Sequence, residues 1–480
     1  MLQFVKLVTG SDKRISDKPL QFMTEGIRKN LHPGKVYRVV NKFKRASFSF
    51  NRCLFTFFAV CFCLFWFVSA AQAELKLVKE FEGRDSSPWE RIEQIKDTNR
   101  NFTFEKFHYK SRRTHSITYK AFGSNTPHSS RFLLHFAPNW NKATHPVPIL
   151  LVHGAGDNAT RGFAHPWVFD IPEDGKIEKP GIMQNLVKKG FSVFAITFSH
   201  PHGDNFLQAQ QIANAINRIR QVTGADKVDV LCHSKGAMSV RIYASDLGEE
   251  YPKYSWITPY QNDIRKILFV ASPLKGIDTA FRYYAYNFTV MYEDMAAPLG
   301  ATIMTWQGQF AGTEKHNELF PGQFQMLHNW VKDGIPFNYQ SSTPDMNTTR
   351  KALYFGGSTT LVSSDGIDAT IQKAGDVINS LCRKGIDPSI TCHILAGSKQ
   401  EIDKVKFFWF EFPVGEFADS SDGVLFLKSA TYKKGLTARG AKIGSVKVLN
   451  THHVGVTVLP AALDHISEVF SERDINKEIR

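Results

Sequence analysis

The chain has 480 residues, of which 42% are hydrophobic and 22% are charged, and these are the proportions of a globular protein. They exclude a chain that is disordered over most of its length. The formal net charge is +14, but residues 1–73 hold 12 basic and only 3 acidic residues, so the mildly basic remainder does not predict nucleic-acid binding.

Residues 1–73 are predicted to form a basic leader with a signal peptide. Basic residues precede an apolar run over residues 53–68, and small residues in an A-x-A pattern end at Ala73. This succession is typical of a secretory signal peptide. We therefore expect a secreted or periplasmic protein that is cleaved near Ala73. Because the apolar run approaches the length of a membrane span, anchoring by residues 53–70 is the alternative.

The segments after the leader predict a doubly wound sheet. Residues 74–143 are polar and mixed, and the alternating stretches at residues 104–109 and 116–121 predict edge strands. Continuously apolar runs then alternate with helical segments, which is typical of buried parallel strands. The predicted strands cover residues 147–152, 191–198, 227–232, 267–271, 393–396 and 442–449. The predicted helices cover residues 206–222, 236–247 and 461–470. We expect an α/β fold with a mostly parallel sheet.

The alternation stops between about residues 273 and 391, where we predict a large cap or lid insertion. Aromatic residues and Met are frequent over residues 281–306. That composition suits an apolar ligand pocket, and it equally suits packing of the cap against the body. Both interpretations stay open at this point.

The cysteines give a prediction of one disulfide. Three of the six lie in the leader, and Cys232, Cys382 and Cys392 remain. Cys382 and Cys392 bracket a turn-rich segment that a disulfide would connect in an oxidising compartment, with free thiols as the alternative. Cys232 is then expected to be a small buried side chain.

The strongest chemical signal is the stretch Cys232-His233-Ser234-Lys235-Gly236, which ends a predicted strand and begins a predicted helix. A serine at such a sharp turn needs small residues two positions before and after it, because the backbone there is strained. Gly236 meets this need, and Cys232 is a small substitute for the first glycine. The helix start favours developing negative charge. The pattern predicts that Ser234 is a nucleophile.

A second signal lies about 80 residues upstream, where a predicted strand leads into His153-Gly154-Ala155. Glycine lets the backbone turn an N–H group toward a substrate oxygen, so this loop can supply half of an oxyanion hole. By analogy, the two donors are the N–H groups of Ala155 and Lys235. An ordinary strand-ending turn is the alternative for His153 and Gly154.

These motifs resemble the α/β-hydrolase superfamily, and within it the secreted bacterial triacylglycerol lipases and the related extracellular polyester (polyhydroxyalkanoate) depolymerases. The resemblance covers residues 146–273, 421–425, 429–430 and 450–456. It implies that residues 74–480 form an α/β-hydrolase catalytic domain. It also implies that Asp422, which precedes Gly, is the triad acid and that His453, which precedes x-Gly, is the base. The order Ser, Asp, His is the one that this fold uses.

The acid and the base each have rivals in the sequence. Asp419 lies three residues before Asp422, Asp365 occurs in a second Ser-Ser-Asp-Gly stretch, and His452 adjoins His453. The chemistry needs one of each, because a Ser hydroxyl is a poor nucleophile until an imidazole accepts its proton and a carboxylate orients that imidazole.

The resemblance implies a secreted lipase or esterase that cleaves carboxylic esters through an acyl-enzyme. A polyester depolymerase or an acyltransferase would use the same triad, and a non-catalytic binding module is the rival class. The expected partner is a hydrophobic ester, at a lipid or polymer interface, with no nucleic acid and no stable protein partner. No cofactor and no metal are predicted. Several lipases of this kind hold a structural calcium. The polar loop at residues 200–204 would border the site or bind a metal, but it has no paired ligands at a recognisable spacing, and no metal is assigned to it.

Overall fold

The computed structural model describes residues 74–105, 116–166, 180–282, 321–337, 344–359, 363–407 and 410–471. The predicted leader, with its signal peptide and its apolar run at residues 53–70, lies outside these ranges, and export stays a prediction. Within them, no helix combines the length and the hydropathy that a membrane span requires. The described residues all belong to one compact unit.

A nine-stranded sheet forms the centre of the described residues. The described residues form thirteen strands, nine in this sheet and four in two separate pairs. In chain order, they are β1 (Leu75–Glu82), β2 (Arg91–Asp97), β3 (Arg131–Phe136), β4 (Ile149–Val152), β5 (Val193–Phe198), β6 (Val228–His233), β7 (Ile264–Val270), β8 (Gly357–Ser358), β9 (Ser363–Ser364), β10 (Thr391–Gly397), β11 (Glu401–Phe407), β12 (Phe410–Gly415) and β13 (Lys442–Leu449). The sheet order is β1-β2-β3-β5-β4-β6-β7-β10-β13, and two separate pairs are β8 with β9 and β11 with β12. Pairing is antiparallel from β1 to β5 and parallel from β5 to β13.

Helices connect and cover these strands. In chain order, they are α1 (Ser116–Phe122), α2 (Ile182–Lys188), α3 (Asn205–Thr223), α4 (Gly236–Ala244), α5 (Thr279–Arg282), α6 (Pro321–Phe324), α7 (Pro344–Phe355), α8 (Gly366–Lys373), α9 (Val377–Lys384), α10 (Leu427–Ala430), α11 (Lys434–Thr437) and α12 (Pro460–Ser471). The helices α5 to α9 occupy the described part of the predicted cap, between the neighbouring strands β7 and β10. Whether this segment acts as a lid stays a prediction.

The central parallel strands β4 to β7 are almost entirely buried, because helices cover both faces of the sheet there. Val230 of β6 belongs to one core cluster, together with Ile216 of α3 and Met238 of α4. The next residue, Leu231, belongs to a second cluster with Leu186 of α2 and Ile466 of α12. Successive side chains of a strand point to opposite faces, so the two clusters are the two layers of a doubly wound core. The prediction of a mostly parallel α/β-hydrolase sheet is confirmed.

Two strand predictions at the start of the domain need correction. The predicted edge strand at residues 116–121 is the helix α1. Ile117 and Ala121 are buried one turn apart, and the side-chain amide of Gln94 donates hydrogen bonds of 3.0 and 2.7 Å to the carbonyls of Ala121 and Phe122 at the end of the helix. At residues 104–109, Phe104 and Glu105 are not in a strand, and the rest lies outside the described residues.

The predicted disulfide between Cys382 and Cys392 is wrong, because both are free thiols, as is Cys232. Cys382 lies on α9, where its thiol donates to the carbonyl of Leu274 over 3.5 Å. Cys392 lies in β10, between β7 and the edge strand β13, where it is buried near Cys232. The helix and the strand therefore direct the two cysteine side chains to different environments, although only a short segment of chain lies between the two residues.

Candidate active site

Ser234 lies in the tight turn between β6 and α4. Its φ of 51° is in the left-handed region, which costs roughly 1–3 kcal/mol for a residue with a side chain. The turn is held by a 3.0 Å hydrogen bond from the Ser234 N–H to the carbonyl of Val270. Gly236 allows the close approach of α4, because a Cβ there would lie 2.5 Å from the carbonyl oxygen of His153. Cys232 is completely buried in β6.

A line of hydrogen bonds joins Ser234 to residues from the far end of the chain. The Oγ of Ser234 lies 3.0 Å from Nε2 of His453, and Nδ1 of His453 lies 2.7 Å from Oδ2 of Asp422. Because a carboxylate only accepts, Nδ1 carries the proton and Nε2 is free to accept from the serine hydroxyl. Ser234 is partly exposed, whereas Asp422 and His453 are buried.

Backbone groups hold the carboxylate of Asp422 in place. Its Oδ1 accepts hydrogen bonds from the N–H groups of Val424 and Leu425, at 3.0 and 2.9 Å. The N–H of His453 donates to the Asp422 carbonyl over 2.7 Å. The loop after β12 and the loop after β13 are therefore fastened to each other at the two residues that approach Ser234.

The rival residues lie elsewhere. Asp419 pairs with Lys428 at 2.7 Å, and the exposed Asp365 pairs with Lys373 at 2.5 Å. The ring of His452 accepts from the N–H of Gly455 over 3.3 Å. The described contacts thus join Asp422 and His453, and not these rivals, to Ser234.

His233 packs beside His453, with 5.1 Å between the ring centroids. Its Nε2 lies 3.3 Å from the carbonyl oxygen of His453 and must donate, because that oxygen only accepts. Burial lowers the pKa of His233 to about 4. His233 therefore stays neutral near pH 7 and does not place a second positive charge next to His453.

His153 fixes the peptide that leads into Ala155. The N–H of Phe198 donates to Nε2 of His153 over 3.2 Å, so Nδ1 carries the proton and donates to the carbonyl of Gly154 over 2.8 Å. In a trans peptide, the C=O and the following N–H point in opposite directions. The N–H of Ala155 is therefore directed away from His153.

The loop with Gly154 passes close to the serine, since a Cβ on Gly154 would lie 3.0 Å from the Cβ of Ser234. Neither Ala155 nor Lys235 uses its backbone N–H for a hydrogen bond to another described residue. Two donors next to a serine hydroxyl are the arrangement that stabilises an oxyanion.

The polar loop at residues 200–204 lies against the side chain of Lys235, which the sequence analysis considered only for its backbone. Lys235 is buried, and its Nζ donates to Oε1 of Gln208 over 2.6 Å. Burial lowers the pKa of Lys235 to about 7, although Glu105 and Asp204 act in the opposite direction. Burial, and then Asp204, raise the pKa of Glu105 to about 8. The sequence signal for this cluster is a lysine directly after the predicted nucleophile, between the apolar run of β6 and the apolar start of α4.

The described residues contain no group of three His, Cys, Asp or Glu side chains arranged to hold a metal ion. This observation does not test the expectations about cofactors, calcium and partners, which stay predictions.

No protein family model matches the chain. Similar solved structures include lipase 1 from Pelosinus fermentans, which is 14% identical, with coverage of 69% of this chain and 100% of that chain and a TM-score of 0.39. A highly thermostable carboxyl esterase from Bacillus coagulans is 15% identical over 71% of this chain and 93% of its own, with a TM-score of 0.35. The mature lipase BlEst2 from Bacillus licheniformis is 13% identical over 70% and 94%, with a TM-score of 0.32.

Proposed function

We propose that this protein is an exported serine hydrolase that cleaves carboxylic esters through an acyl-enzyme. The observation that supports it is the line of hydrogen bonds from Asp422 through His453 to Ser234, with 2.7 and 3.0 Å between the heavy atoms. That geometry is within the reach that proton transfer to a base requires. Export rests on the composition of residues 1–73 alone.

Each residue then has a defined part in the reaction. Oγ of Ser234 attacks the ester carbonyl carbon while its proton passes to Nε2 of His453, and the C–O bond to the alcohol breaks as His453 returns the proton to the leaving oxygen. Water repeats the sequence on the acyl-enzyme, which releases the acid and restores Ser234. Asp422 orients the imidazole and stabilises its charge, and the N–H groups of Ala155 and Lys235 stabilise the oxyanion.

The test is hydrolysis of p-nitrophenyl esters of increasing chain length by the wild type and by Ser234→Ala. We expect a loss of at least about 10³-fold in kcat for Ser234→Ala, because residual catalysis would come only from the oxyanion hole and binding. A fluorophosphonate should phosphonylate Oγ of Ser234 with release of fluoride, as mass spectrometry would show. Equal rates for the two proteins, or labelling at another residue, would contradict the proposal.

The same series separates the substrate classes that share this triad. Highest activity on short acyl chains would indicate an esterase, and on long chains a lipase. Clearing of a solid polyester film would indicate a depolymerase, and transfer of the acyl group to an added alcohol in preference to water would indicate an acyltransferase.

A further inference from the structure

The side chain of Lys235 extends away from Ser234 into a polar cluster under the turn. Its Nζ donates to Gln208 of α3, and Glu105 and Asp204 are the acidic groups that interact with it. The N–H of Asp204 donates to Glu105 over 2.7 Å. The cluster is therefore connected to α3, to the loop before it and to the segment after β2.

Helix α6 of the predicted cap lies directly on this lysine. A Cβ on Gly322 would lie 2.3 Å from Cε of Lys235 and 2.1 Å from the carbonyl oxygen of Gly203. A Cβ on Gly203 would in turn lie 2.9 Å from both carboxylate oxygens of Glu105. Gly322 has no room for a side chain, because the carbonyl of Gly203 is backbone, so the lysine, the loop and the cap segment are in close contact.

Hydrogen bonds fasten α6 to the loop around Asp204. The N–H of Gly322 donates to the carbonyl of His202 over 3.2 Å, and the side chain of Asn205 donates to the carbonyl of Gly322 over 2.9 Å. The side chain of Gln325 accepts from the N–H of Asn205 at 2.8 Å and donates to Asp204 at 3.1 Å. The cap segment is therefore fixed to the loop that carries the acidic partner of Lys235.

Burial of the lysine Nζ is unfavourable, whether the group is charged or its pKa is lowered toward 7. Removal of a charge from water costs several kcal/mol unless its partners compensate, and a well-packed apolar side chain is often at least as stabilising. Packing alone does not account for a lysine at 1% exposure directly after the serine. A role in holding the backbone at this position does account for it.

Resting on the proposed function, we propose that Lys235 is a positioning residue for the oxyanion hole, because its side chain anchors the peptide whose N–H is the second donor. The residue is held at two points. The carbonyl of Ser234, which belongs to the same peptide as the donor N–H, accepts from the N–H of Ala237 over 3.1 Å, and the Nζ of Lys235 is held by Gln208. With both ends of the residue fixed, its N–H keeps its direction while charge develops on the substrate oxygen.

Lys235→Met tests this proposal, with Lys253→Met as the matched control. Lys253 is a lysine at the same cluster, 3.9 Å from Asp204, but its side chain is 71% exposed. For Lys235→Met we expect kcat to fall by about 10–100-fold, somewhat less than for deletion of an oxyanion donor, while KM changes less than about twofold. Lys253→Met should retain the wild-type kcat.

A boronic acid inhibitor supplies a readout that a merely structural role would not move. Its tetrahedral adduct with Ser234 occupies the oxyanion hole, so its affinity should fall by the same factor as kcat/KM, whereas the affinity for the product acid should not. Gln208→Met removes the acceptor of the Lys235 Nζ, together with the 2.8 Å hydrogen bond from Gln208 to the carbonyl of His200, and should give a smaller change in the same direction. If Lys235→Met does not fold, Gln208→Met takes its place in this test.

The outcomes separate this inference from the proposed function. If the wild type shows no activity that depends on Ser234, the proposed function is wrong and the positioning role falls with it. If the wild type is active through Ser234 but Lys235→Met or, where that variant does not fold, Gln208→Met retains its kcat, only the positioning role is wrong. A rise in KM with unchanged kcat would overturn it as well.

Discussion

The orientation of single peptide groups decides whether the proposed oxyanion hole exists. The first donor depends on His153, which is locked by the N–H of Phe198 on one ring nitrogen and holds the Gly154 carbonyl with the other. Burial lowers the pKa of His153 to about 4, so the ring stays neutral and keeps this tautomer over the pH range in which an esterase would be assayed. One side chain thereby fixes the direction of the N–H of Ala155.

His153→Phe should therefore lower kcat by about 10–100-fold with a small effect on KM, since the freed peptide can rotate and the lost interaction acts in the transition state. The measurement is steady-state hydrolysis of one p-nitrophenyl ester. His145→Phe is the control, because His145 precedes β4 at the opposite end of the strand, where its ring stacks on Phe191 at 3.8 Å. Equal kinetics for both variants would contradict the role of His153.

At the scale of elements, the contact between the start of α4 and the end of β4 sets the position of the serine. A Cβ at Gly236 would meet the backbone oxygens of His153 and Val152 at 2.5 and 2.8 Å, and backbone cannot move aside as a flexible side chain can. Gly236→Ala should therefore separate α4 from the loop, with a loss of about 1–3 kcal/mol in the free energy of unfolding.

Because the same displacement moves Ser234 relative to Ala155, Gly236→Ala should also lower kcat by at least about tenfold. Gly224→Ala separates the two effects. Gly224 ends α3 with a φ of +71°, and a Cβ there meets nothing within 4 Å, so this variant should lose about 1 kcal/mol of stability and keep its kcat. Urea unfolding and ester hydrolysis on both variants give the comparison. A kcat loss shared by both would mean that stability alone explains it.

The elements that the sequence predicted correctly are those with long or repeated patterns. The apolar runs before His153 and Ser234 are the strands β4 and β6, and the predicted helix after β5 is α3. The strand prediction at residues 116–121 is wrong because a short alternating pattern does not separate helix from strand. The contact that settles it comes from Gln94 on β2.

The polar cluster around Lys235 shows a second limit of sequence reasoning. Glu105, Gly203, Lys235 and Gly322 meet in space, but they come from four segments that no local pattern connects. The serine turn was recognisable because its residues are contiguous and because strain at one turn restricts its neighbours. A cluster assembled by the packing of a loop, a helix and a cap segment carries no such restriction along the chain.

For the whole molecule, buried neutral histidines link stability to pH. His135 in β3 is buried, its Nε2 shares a 2.9 Å hydrogen bond with Thr197, and its ring lies 5.1 Å from that of Trp89. Burial lowers its pKa from 6.5 to about 3. Between these two pH values the unfolded chain binds a proton that the folded chain does not. The stabilisation is thus fully present above pH 6.5 and is lost as the pH falls toward 3.

One such histidine changes the free energy of unfolding by up to about 1.4 kcal/mol per pH unit in this window. His135→Gln keeps a polar group for Thr197 but does not titrate. Its stability at pH 7 should fall modestly, and its loss of stability between pH 6.5 and 4 should be smaller than that of the wild type by roughly this slope. His153 and His233, whose pKa values are also lowered, keep the remaining dependence. Urea unfolding at several pH values measures the slopes, with His145→Gln, at a partly exposed histidine that stacks on Phe191, as the control. Parallel curves for the wild type and His135→Gln would show that His135 is protonated in the folded state as readily as in the unfolded one.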